Sequence, residues 1–239
     1  MDTDRPPLLV ALMLMRGVAI IVAAFAAFGI LAALGTPDAW AWSLLSTNVS
    51  IVAIDVLTLV ILARLQRSRG KRLRDLFLPT GGARDLGWSL LAFVILFISF
   101  VVTTFVANLA VYQGPPPGSG VHLVPPLWLG IWGVTIMPVT IALAEEGLYR
   151  GYLRTQVGAW LGRIPALFVV SFAFGLQHAG FSMTSLSAVA ARVLSLFLIG
   201  LVFAGLMAWF KRLAPLVVAH WLMDVLGLGL PMLLASLAG

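Results

Sequence analysis

Seven apolar runs of membrane-spanning length, at 8–34, 40–63, 86–112, 127–149, 164–181, 186–210 and 213–236, make up most of this chain. A helix needs about 20 mostly apolar residues to cross the hydrocarbon core. In that core every backbone N–H and C=O must be satisfied internally, which leaves only helices and closed barrels. Runs this long and this continuous are helical rather than alternating. The chain is therefore expected to be all-α, a polytopic transmembrane helical bundle of about seven spans. Counts of six or eight stay open because 127–185 is hard to divide. Composition leads to the same class: 61% of the residues are hydrophobic and 10% charged, against about 25% charged in soluble domains. One core of this size could not bury so much apolar surface.

The first run, Leu8 to Leu34, follows Arg5 as the apolar core of a secretory signal would. It is much longer than the roughly 7–15 residues of such a core and is read as the first span. Gly114-Pro115-Pro116-Pro117-Gly118-Ser119-Gly120 cannot be helical and is read as a loop. No soluble domain, repeat or low-complexity tail is evident. The chain reads as one membrane domain in two parts: spans one to three with a basic loop at 64–85 (residues 1–126), then residues 127–239.

The net charge of +6 could suggest nucleic acid, but the basic residues sit in short loops between apolar runs. Arg64, Arg67, Arg69, Lys71, Arg72, Arg74 and Arg84 fill 64–85; Arg150, Arg154 and Arg163 come two spans later, then Lys211 and Arg212. The alternate loops 35–39, 113–126 and 182–185 have no Lys or Arg. Positive loops, not these, stay on the cytoplasmic side. A multi-pass cell-membrane protein is expected, with its N-terminus inside and, for seven spans, its C-terminus outside. No nucleic-acid partner is expected. The absence of cysteine excludes disulfides, thiolate metal sites and cysteine nucleophiles.

Ionisable side chains inside spans cost about 2.5–3.5 kcal/mol each on insertion scales. The embedded set is Arg16, Asp55, Glu145, Glu146, His178, Arg192, His220 and Asp224. The two glutamates of the whole chain are the adjacent Glu145 and Glu146, and two of its three histidines fall inside spans. That distribution points to chemistry; a structural ion network between helices is the bland alternative. Residues four apart share a helix face, whereas neighbours point about 100° apart. Glu146 therefore pairs with Arg150, and Glu145 faces another way without a charge partner. That leaves Glu145 as the candidate base. Phe174 and His178, and likewise His220 and Asp224, stack one turn apart. The turn at 161–165 lies about 17 residues after Glu145 and about 15 before His178. At about 1.5 Å per residue, an antiparallel hairpin sets the two side chains at one height. The nearby Arg150 and Arg154 would make the hairpin tip protrude and leave His178 too shallow to end a full span.

Glu145-Glu146-x-x-x-Arg150, Phe174-x-x-x-His178 and His220-x-x-x-Asp224, in that order on membrane helices, resemble the three motifs of the CPBP family. That family includes the CAAX prenyl endopeptidases and bacterial bacteriocin-processing and immunity proteins. The resemblance covers roughly 127–230 and implies a catalytic region there: an intramembrane endopeptidase acting near the cytoplasmic face on a membrane-associated peptide or protein. It implies that Glu145 and His178 activate water and that His220 and residue 224 stabilise the oxyanion, with Glu146, Arg150 and Phe174 supporting. The family often has Asn where this chain has Asp224. An ionised Asp cannot donate to an oxyanion, so Asp224 is expected to orient and charge His220.

The family is often labelled metalloprotease. Zinc, if bound, would take Glu145, His178 and His220, but there is no His-Glu-x-x-His and Arg150 competes for Glu146. No obligatory metal or other cofactor is expected. Rival readings are a non-catalytic scaffold or bacteriocin-immunity protein, and a small transporter, the last disfavoured by the lack of a repeat. The remaining charges receive bland assignments. Arg16 pairs with Asp55 or snorkels to the interface, and Arg192 lies near the outer boundary or against carbonyls. His122 is solvated, and Trp128 and Trp132 anchor at the interface. Nothing in the sequence shows a prenyl pocket, and its Ala/Leu/Arg-rich character looks bacterial.

Overall fold

The computed structural model of the chain describes residues 4–78, 81–118 and 123–238; His122 lies outside them. The described residues are helical throughout their ordered elements, with no strand. Pro6 and Pro7 open α1 (Pro6–Ala33), where a missing N–H costs nothing. A tight turn leads to α2 (Ala39–Arg67), and a short 3₁₀ turn (Leu73–Leu76) precedes α3 (Gly82–Tyr112). After the proline-rich loop come α4 (Leu127–Val134) and α5 (Ile136–Glu145), bent 40° apart. Pro138 explains the break, because its ring clashes with the carbonyl of Val134 and it has no N–H to bond it.

The helix does not stop at 149, where the sequence reading ended the span. It continues through a π-helical stretch (Glu146–Leu153) into α6 (Arg154–Leu161) and turns at Gly162, whose φ of 91° suits glycine. Then α7 (Arg163–Gln177) runs back and ends in a 3₁₀ turn (His178–Phe181). With that turn the segment spans 19 residues and is apolar enough to cross a bilayer. The remaining helices are α8 (Leu186–Phe210), α9 (Ala214–Asp224) and α10 (Leu230–Ala238), the last two joined by a π stretch (Val225–Gly229). Six helical segments have spanning length and apolarity, and the bent α4–α5 segment makes up to seven.

Large apolar side chains cover the perimeter; Phe105 is 67% exposed and Ile164 73%. In water such a surface would aggregate, whereas lipid covers it. The basic segments gather at one end of the bundle. There Arg69 pairs with Asp4 at 2.7 Å and Arg212 with Asp85 at 2.8 Å, while Tyr152 donates to Asp4. At the other end Trp40 donates to the Met183 carbonyl and Trp132 to the Asn48 carbonyl. Trp132 thus ties α4 to α2, whereas Trp128 stays 58% exposed. Close packing depends on glycine. A Cβ on Gly17 would meet the Gln177 Cα at 3.0 Å, and one on Gly180 would meet Ile20 at 2.5 Å. These contacts seat α1 against the C-terminal end of α7.

Candidate active site

Glu145 ends α5, His178 ends α7, and His220 and Asp224 share a face of α9. All four line one cavity of about 480 Å³ between the helices, together with Phe174. The cavity is otherwise largely apolar. Glu146 and Arg150 are buried just behind it on the π-helical stretch. The expected constellation is therefore assembled, and the hairpin turning at Gly162 brings Glu145 and His178 within electrostatic reach of each other.

The Glu146–Arg150 pair forms as the spacing predicted, with Arg150 Nη1 3.0 Å from Glu146 Oε1. The same oxygen accepts from His220 Nδ1 at 2.9 Å. Arg150 lies over the rings of Phe174 and Phe203, 4.0 and 4.5 Å from their centroids, a stacking that suits guanidinium. His220 Nε2 is 3.6 Å from Asp224 Oδ2 and 3.8 Å from Glu145 Oε2. Asp224 thus sits at ion-pair rather than hydrogen-bond distance, and it is Glu146 that fixes the His220 ring. Asp224, expected to orient and charge His220, lies on the Nε2 side of the ring, and Glu146 bonds the Nδ1 side.

His178 Nδ1 lies 2.7 Å from the Phe174 carbonyl. A carbonyl only accepts, so Nδ1 carries the proton and the lone pair of the neutral ring is on Nε2.

One sequence reading fails here: Glu145 is not without a charge partner. Arg16 Nη2 lies 3.0 Å from Glu145 Oε1, and its Nη1 is 2.6 Å from Asp55 Oδ1. Arg16 Nε donates to Gln177 Oε1 at 2.7 Å, and Tyr149 donates to the same oxygen at 3.1 Å. Arg16 and Asp55 do pair between the first two helices, and they also reach the site. The partner was missed because it lies 129 positions away, beyond any helical spacing rule. The available signal was the cost of two buried charges with no role, Arg16 and Asp55 both being 0% exposed. Gln177, next to His178, carried no signal at all. Arg192 was expected at the outer boundary or on backbone carbonyls. It lines the cavity and donates to the hydroxyl of Ser182, in the loop read as outer, at 3.2 Å.

Glu145 Oε1 is held by a guanidinium and both Nδ1 atoms are engaged, so any zinc ion would have to take Glu145 Oε2 and the Nε2 atoms of His178 and His220. Among the described residues no three His, Cys, Asp or Glu side chains form a group able to hold a metal. No step below runs through one. Glu145 Oε2 is buried and has no hydrogen-bond partner among the described residues, so one carboxylate oxygen remains available at the cavity.

Residues 126–226 match the family described as Type II CAAX prenyl endopeptidase Rce1-like. No curated protein and no solved structure matches the chain. The match spans α4 to the π stretch after α9 and contains all three motifs, while α1 to α3 lie outside it. Over this region, less than half of its length, the chain is similar to the CAAX endopeptidases, a family of peptide hydrolases.

Proposed function

We propose that this protein hydrolyses a peptide bond of a membrane-associated substrate by direct attack of a water activated by Glu145 and His178. The carrying observation is that side chains from α5, α7 and α9 line a single cavity within an apolar bundle. A water bonded to Glu145 Oε2 and His178 Nε2 loses a proton to the carboxylate as its oxygen attacks the scissile carbonyl. His178 orients the water through its lone pair, and Arg16 holds the other Glu145 oxygen so that Oε2 is the one presented. In its protonated form His220 keeps Nδ1–H on Glu146 and offers Nε2–H to the tetrahedral oxyanion, which such donors stabilise by several kcal/mol. When the intermediate collapses, the proton on Glu145 passes to the leaving amine. The carboxylate is then restored, and the products are an acid and an amine.

The basic end of the bundle is the cytoplasmic end in this reading, with the N-terminus inside. The test is cleavage of a panel of membrane-tethered peptides by purified protein in liposomes. Wild type should cut at least one, and Glu145→Gln and His178→Ala should each lose about 10²–10⁴-fold in rate. A phenotype or partner binding that survives both substitutions, with no cleavage by wild type, would instead support a scaffold. Chelation should leave the rate unchanged; loss that added zinc restores would overturn the metal-free mechanism.

A further inference from the structure

We infer that Arg192 forms an anion subsite in the catalytic cavity and receives the terminal carboxylate of a peptide substrate, an assignment that rests on the peptidase reading above. Arg192 lies in the second turn of α8 and lines the same cavity as Glu145 and His178. It is the only Lys or Arg among the lining residues. Its Nε donates to Ser182 Oγ at 3.2 Å. Among the described residues no Asp or Glu lies within ion-pair distance of it, in contrast to Arg16, Arg69, Arg150 and Arg212. A partly buried guanidinium with no carboxylate at ion-pair distance among the described residues is costly. An arriving anion relieves that cost.

Arg192 has five N–H donors, and the structure uses one. The planar fork matches a carboxylate in bidentate fashion. Much of the remaining wall, including Phe97, Phe100, Phe181, Leu196 and Ile199, is apolar, and its acidic groups are Glu145 and Asp224. It suits apolar side chains. The anion that a peptide brings irrespective of its side chains is its own C-terminus. Arg192 is also within electrostatic reach of His178, so a carboxylate bound there lies beside the reacting centre. An anionic lipid headgroup has the same chemistry, and the test separates the two sources.

The probe is an N-acylated, fluorescent, apolar pentapeptide made as the free acid and as the C-terminal amide. Its binding to the full chain is measured in nanodiscs of zwitterionic lipid. Wild type should bind the acid on the order of tenfold more tightly than the amide. Arg192→Gln should bind both forms equally, with amide affinity kept at the wild-type level as a check that the variant is folded. Arg192→Lys should keep part of the preference. Equal binding of acid and amide by wild type, binding of neither, or a preference that survives in Arg192→Gln would each overturn the assignment. Loss of the wild-type preference on adding phosphatidylglycerol, with no such response in Arg192→Gln, would give the site to lipid and overturn it too. Cleavage is followed in parallel. An acid preference without cleavage of any peptide would count against the hydrolytic reading while sustaining the subsite.

Discussion

Glu145 keeps its two oxygens in different company: Oε1 on Arg16, Oε2 at the cavity without a partner among the described residues. That asymmetry makes Arg16 a positioning residue in the proposed mechanism. Arg16→Met would leave Asp55 and Glu145 as uncompensated buried charges, a loss of about 3–5 kcal/mol by analogy with broken buried pairs. The measurement is unfolding in detergent, and Arg16→Met combined with Asp55→Asn should recover part of the loss. Full activity and stability in Arg16→Met alone would remove Arg16 from the site. Asp224 is the other residue whose role geometry refines. At 3.6 Å from His220 it contributes charge at ion-pair range, while Glu146 holds the ring. Asp224→Asn is therefore expected to retain most of the peptidase rate, and complete loss would mean that the carboxylate itself is required.

At the scale of elements, both π-helical stretches begin immediately after a site residue, one after Glu145 and the other after Asp224. An extra residue in a turn re-aims the side chains that follow, and such insertions recur at functional sites. Pro231 rationalises the second stretch, since it cannot donate to the carbonyl four residues back. The contact of α1 with the end of α7 does comparable work from outside the matched region. Gly17 and Gly180 let the two backbones approach until Arg16 meets Gln177. Gly180→Val should destabilise the protein by about 1–3 kcal/mol through overpacking against Ile20. It should also lower the cleavage rate by displacing α1. A rate unchanged at unchanged Tm would show that the close approach is dispensable.

For the whole molecule, the basic segments meet at one end although they are far apart in the chain: Asp4 with Arg69, Asp85 with Arg212. Because the chain has no cysteine, single cysteines can report sidedness. In intact cells or sealed right-side-out vesicles, Ser68→Cys should be shielded from a membrane-impermeant maleimide and Gln113→Cys should react. The reverse pattern would invert the proposed orientation.

Membrane residence, helical class, most of the helix boundaries to within a few residues (the end of the 127–149 run excepted) and the motif residues were legible in the sequence. Each depends on local composition or on spacings of three or four residues along a helix. The Glu146–Arg150 pair is such a spacing, and it formed as expected. The bend at Thr135 is a borderline case, since Pro138 announces a break but not its angle. Tertiary structure alone decided that Glu145 shares its charge with Arg16, that Glu146 bonds His220 Nδ1, and that Arg192 faces the cavity. These depend on which faces of distant helices meet. In a chain whose helices are apolar almost all round, periodicity does not say which face turns inward, and only packing at small residues such as Gly17 and Gly180 does.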